Sequence, residues 1–105
     1  MCSLEGLAEV IVDELIYEAK IICRFEVEKR FSHSEKECFM RILRKYTTDW
    51  DPLYMSEVIL DAASTRNVDK VVKDLNDEEF YTLMQEVRRR LIERLEKIIQ
   101  EGIKD

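Results

Sequence analysis

Only two glycines and one proline punctuate the 105 residues of this chain. A β-sandwich or barrel reverses direction every few residues and draws on Gly, Pro and Asn for the backbone angles of its turns, so a chain this poorly supplied cannot make many of them. Nor does any long stretch alternate apolar and polar residues. The apolar residues recur every three or four positions instead, which is the helical period. The fold class that follows is all-α: a helical bundle of about five helices in one domain over residues 1–105, with two long terminal helices bracketing three short ones.

Capping residues set the boundaries. Ser3 can cap a first helix from about Leu4 to Phe31. In it Leu4, Leu7, Ala8, Ile11, Leu15, Ile22 and Phe25 form one apolar stripe, and Val12, Ile16, Ala19, Cys23 and Val27 form a second beside it. A helix apolar over two stripes needs neighbours on two sides. Ser34-x-x-Glu37 is a capping box for a second helix to about Tyr46, and Asp51-Pro52 puts an N-cap before a proline at the first helical position of a third, to about Ser64. Asn67 is the expected cap of a short fourth helix through about Leu75. Asn76-x-x-Glu79 caps a long fifth, which carries Phe80, Leu83, Val87, Leu91, Leu95 and Ile98 on one face and stops at Gly102.

The first helix, at about 28 residues, is roughly 42 Å long, whereas a compact chain of this size has a radius of gyration near 13 Å, by scaling about right for 100 residues. The long helices are therefore expected to overshoot one globule and to pair with a second copy, the alternative being an elongated monomeric bundle. Ile11, Leu15, Ile22, Leu91, Leu95 and Ile98 are the expected seam of that homodimer.

Charge narrows the partners. The chain carries 17 Lys+Arg against 23 Asp+Glu, with a net charge of −6, and the long-range field of such a protein repels nucleic acid. A nucleic-acid-binding regulator would have to rely on Arg88, Arg89 and Arg90, and the chain lacks the short glycine-containing connection of a helix-turn-helix. Glu5, Glu9 and Asp13 follow one another at i, i+4 and repel, so they call for a basic neighbour, with Arg88, Arg89, Arg90 and Arg94 as candidates. Glu26–Arg30, Glu37–Arg41, Asp69–Lys73, Glu86–Arg90 and Glu93–Lys97 have the spacing of solvated ion pairs. Residues 46–79 hold three bases and nine acids, an acidic face for a protein partner. Trp50 and Tyr54, flanking Asp51-Pro52, are candidate partner contacts.

Three cysteines make an odd count, and Cys23 and Cys38 fall on apolar helical positions, which predicts free buried thiols in a reducing, cytoplasmic setting; Cys2 is the third. Glu5 and Glu9 stand where a secretory signal would be basic, and no apolar run approaches the ~18 residues of a membrane span. Amides are few (Asn67, Asn76, Gln85, Gln100) while Glu, Lys, Arg and Ile abound, a bias found in thermophile proteins.

Catalytic constellations are sparse. His33 is the sole histidine, and with Cys23 and Cys38 it lacks the paired spacing of zinc ligands. No Glu-x-x-His, glycine-rich phosphate loop or G-x-S-x-G is present. Glu14 with Glu18, and Glu57 with Asp61, are acidic pairs one turn apart. If their helices faced one another they would hold Mg²⁺ against a phosphate. In this the chain resembles small all-α nucleotide pyrophosphohydrolases, but it departs from their E-E-x-x-E and E-x-x-D pattern: Tyr17 stands at the third acidic place, and Glu57 to Asp61 is one residue too long. The expected function is thus a non-enzymatic helical protein–protein interaction module, homodimeric and without cofactor. The Mg²⁺-dependent enzyme and the nucleic-acid-binding regulator are the alternatives.

Overall fold

A computed structural model describes residues 3–102; Cys2 lies outside them. Five helices follow in order, α1 (Leu4–Glu28), α2 (Glu35–Lys45), α3 (Pro52–Thr65), α4 (Asp69–Lys73) and α5 (Asp77–Glu101), with no strand among the described residues. The starts obey the capping chemistry. The Gly6 N–H donates to Ser3 Oγ at 3.0 Å, Glu37 N–H to Ser34 Oγ at 3.1 Å, and Leu53 N–H to Asp51 Oδ1 at 3.0 Å. Asn76 and Glu79 complete a reciprocal capping box.

The end of the first helix and the role of Asn67 differ from expectation for one physical reason. The first helix stops at Glu28, three residues short of Phe31, because Arg30 adopts a left-handed φ of 63°. Phe31 N–H then donates back to Glu26 O and Arg30 N–H to Val27 O, which is a Schellman closure, and the Phe31 ring packs on Phe25 at 6.2 Å. The third helix closes in the same way around Asn67 (φ 61°), with Val68 N–H to Ala63 O and Asn67 N–H to Ser64 O. Asn67 therefore ends α3 and does not cap α4. The N-cap place of α4 falls to Val68, which has no side-chain hydrogen bond to give, and the helix shrinks to five residues.

The long helices lie side by side. Arg90 reaches Glu9 and Arg94 reaches Asp13, an i, i+4 pair on each helix in the same order, so α1 and α5 run parallel and α2, α3 and α4 return the chain between them. Their contact is the core. Leu7, Ile11, Leu15, Leu83, Val87, Leu91 and Leu95 are almost wholly enclosed, with Phe39 from α2 and Met55 and Ile59 from α3 closing the sides. The molecule measures 42 × 25 × 22 Å with a radius of gyration of 14.0 Å. The length of α1 is taken up by elongation of one bundle. Ile11, Leu15, Leu91 and Leu95, expected at a seam between copies, face one another inside a single chain and leave no surface for a second; Ile98 is partly buried against the same core.

A disulfide corrects a further expectation. Cys23 and Cys38 are bonded to each other, their Cα atoms 5.4 Å apart, instead of being free thiols. The bond pins the second half of α1 to α2 and leaves neither sulfur as a nucleophile or metal ligand.

Candidate functional site

Two of the three acids of the α1 ridge, Glu9 and Asp13, are paired within the chain, while Glu5 is exposed in the first turn. Arg90 pairs with Glu9 and with Glu86 at 2.8 Å, and Arg94 pairs with Asp13 and lies 3.6 Å from Glu9. Arg89 turns to Glu86 and to Glu93 at 2.9 Å. These contacts hold the Glu86 carboxyl below the usual range, chiefly through the hydrogen bonds from Arg89 and then Arg90. Arg88 points elsewhere: it donates to Thr47 O at 3.0 Å and lies over the Trp50 ring at 4.9 Å, while its buried Nε has no hydrogen-bond partner. Arg88 thus turns away from Arg89 and Arg90, which share Glu86. The three do not form one basic patch, and Trp50 serves as a half-buried cover for the core.

Charge pairing also departs from simple helical spacing near the α1 terminus. With Arg30 outside the helix, Glu26 pairs across to Arg41 at 3.0 Å instead, and Glu37 accepts from His33 N–H, which leaves His33 an exposed loop residue. Asp69–Lys73 and Glu86–Arg90 form as expected, whereas Glu93 takes Arg89.

Three of the four acids considered for Mg²⁺ do converge. Glu14, only 5% exposed, accepts from Arg66 Nε at 2.7 Å. Glu18 lies one turn along α1 from Glu14, and Asp61 of α3 acts on its charge. Its carboxyl is pushed up first by burial, then by Glu14, with Asp61 adding and Arg66 opposing. The fourth, Glu57, is exposed on α3. A guanidinium already sits among these carboxylates, and among the described residues no three His, Cys, Asp or Glu side chains are placed to share a metal ion.

Beside this cluster a cleft of about 200 Å³ opens between α1, α2 and the start of α3, lined by Glu18, Ile22, Glu26, Arg41, Lys45, Tyr46 and Tyr54. Burial pushes the Tyr46 hydroxyl up to about 12, with Tyr54 and Glu18 adding to the shift. Tyr54, a candidate partner contact, is 47% exposed at its mouth.

The most conspicuous surface lies on the outer side of α1. Tyr17, Ile21 and Phe25 follow at i, i+4 and are 57%, 50% and 51% exposed; Ile22 flanks them and Phe31 extends the patch past the helix end. Lys20 and Arg24 line the shallow hollow between Tyr17 and Ile21. Contiguous large apolar side chains on the surface of a small protein mark a contact site, because burying each against a partner is favourable by ~1 kcal/mol or more. Of the six residues expected at a seam, Ile22 alone belongs to this face. Reading the two stripes as equivalent hid the rest: the surplus of apolar residues at Tyr17, Ile21 and Phe25, beyond what one core-facing stripe needs, was the available signal. Comparison with known protein families, with curated proteins and with solved structures finds no match to this chain.

Proposed function

We propose that the protein is a non-enzymatic interaction module that forms a homodimer through the outer face of the second half of α1. The observation that carries this reading is the run Tyr17–Ile21–Phe25, half-exposed on three successive turns of one helix. A single helical stripe is self-complementary when two copies cross on a two-fold axis near its middle, and two-fold dimers are the commonest symmetric assemblies. On that axis Ile21 meets its counterpart and Tyr17 meets Phe25 of the other copy. The disulfide behind the face, at Cys23, and the Schellman closure at its end hold it rigid, which lowers the entropy lost on association.

A cytoplasmic protein of a heat-adapted organism fits this reading, since intracellular disulfides accompany amide-poor, charge-rich sequences in that setting. No helix among the described residues is long and apolar enough to cross a membrane. Native mass spectrometry of the purified protein tests the proposal: a dimer mass without added metal or nucleotide is expected. A monomer at every concentration, or a monomer retaining Mg²⁺ or nucleotide, overturns it.

A further inference from the structure

A second surface, at the opposite end of the chain order, has a different character. α4 packs on α3 and not comparably on α5, and α3 itself touches α5 only lightly. The three helices therefore leave an open trough of about 420 Å³, with Leu60 from α3, Val72 and Leu75 from the α4 segment, and Phe80, Tyr81 and Met84 from α5 along it. The Ser56 hydroxyl at one wall turns to Met84 Sδ at 3.7 Å and to its own helix at Pro52 O, so the floor offers little polar anchorage.

The rim is acidic. Asp77 lines the trough beside Phe80 and Tyr81, Asp74 and Glu78 stand exposed next to it in sequence at the junction of α4 and α5, and Glu57 is exposed next to Ser56 on α3. Lys73 is on the lining but is paired with Asp69 at 3.8 Å, and Lys70 is the other nearby base on α4. An apolar trough with an acidic rim fits an amphipathic helix that carries apolar side chains on one face and Lys or Arg at its borders: the trough takes the anchors and the rim sets orientation and encounter rate. We infer that the α3–α4–α5 trough docks a cationic amphipathic helix of a partner protein. The trough lies apart from the α1 face, so docking is independent of self-association.

The test uses the whole protein and a labelled short helical peptide with leucines at i, i+3, i+4 spacing and lysines on the other positions, read by fluorescence anisotropy. Saturable binding that weakens with added salt is expected, together with no binding of the same peptide with glutamate for lysine. Tyr81→Glu and Leu60→Glu should each weaken it by about tenfold or more, the loss of a buried anchor, and Glu57→Gln with Asp77→Asn should weaken it less while flattening its salt dependence. Ile21→Glu, on the α1 face, should leave it unchanged. Amide NMR shifts on titration should gather at Leu60, Val72, Leu75 and Tyr81, which also reports on variants that bind weakly. Equal binding of the glutamate peptide, indifference to Tyr81→Glu and Leu60→Glu in folded protein, or shifts gathered on Tyr17 to Phe25 would each overturn the inference.

Discussion

The two halves of α1 belong to one uninterrupted helix and meet opposite fates. In the first half the apolar strip enters the α1–α5 core, Glu9 and Asp13 are tied by Arg90 and Arg94, and Glu14 is covered by Arg66 from the end of α3. In the second half the inner strip ends in Cys23, bonded to α2, while the outer strip of Tyr17, Ile21 and Phe25 meets solvent. The contrast teaches that apolar content alone does not say where a helix packs. Acids sit where arginines of the same chain can reach them, and aromatic side chains remain outside where no helix of the same chain arrives.

The largest expected effect comes from releasing the second half. Replacing Cys23 and Cys38 by alanine opens a link across a sequence separation of 15. Constraint of the unfolded chain by a loop of that size is worth ~3 kcal/mol, to be read from urea unfolding under oxidising conditions. Amide exchange should then quicken in α2 and the end of α1 but not around Ile11, because only the second half depends on the bond. Next in size is the first half's buried acid. Arg66→Ala strands Glu14 in the interior and should cost about 2 kcal/mol, less than a fully buried pair because Arg66 is 38% exposed. Adding Glu14→Gln should recover much of that loss, since the amide needs no counter-charge.

Arg30 holds a left-handed backbone that glycine adopts without steric penalty, so Arg30→Gly should stabilise by up to about 1 kcal/mol, seen as a raised midpoint of thermal unfolding. Glu18 carries a carboxyl raised above its ordinary 4.5 in the folded state. The native state therefore holds that proton more tightly than the unfolded chain, and stability present below the unfolded value is lost as pH rises through the folded one. Glu18→Gln should accordingly stabilise the protein slightly at neutral pH, by a fraction of ~1 kcal/mol given its partial exposure. The gain should vanish below about pH 4.5, the ordinary Glu value.

Much of the fold was legible because helix starts are written in local chemistry: Ser3, Ser34, Asp51 and Asn76 each bond the backbone within three residues of themselves. Helix ends at Arg30 and Asn67 were not, since a left-handed residue other than glycine leaves no clear mark and Asn serves both as an N-cap and as a terminator. The partner of an apolar stripe is likewise a tertiary fact. Leu91 and Leu95 have the spacing of a seam between copies and of a core within one chain, and only the parallel placement of α1 and α5 separates the two. The pairing of Cys23 with Cys38 was hidden by an odd cysteine count. Glu14, Glu18, Glu57 and Asp61 were grouped in sequence only on the condition that their helices face one another; Glu57 stays apart, and Arg66, distant in sequence, pairs with Glu14 instead.

Sedimentation equilibrium of the wild type beside Ile21→Glu and Met40→Glu separates a dimer built on the outer face of α1 from a monomer. Both positions are about half exposed, but only Ile21 lies on the outer face of α1. A dimer is expected for the wild type and for Met40→Glu, and a folded monomer of unchanged helicity for Ile21→Glu. A wild-type monomer, or an Ile21→Glu protein that stays dimeric, would contradict the proposed dimer.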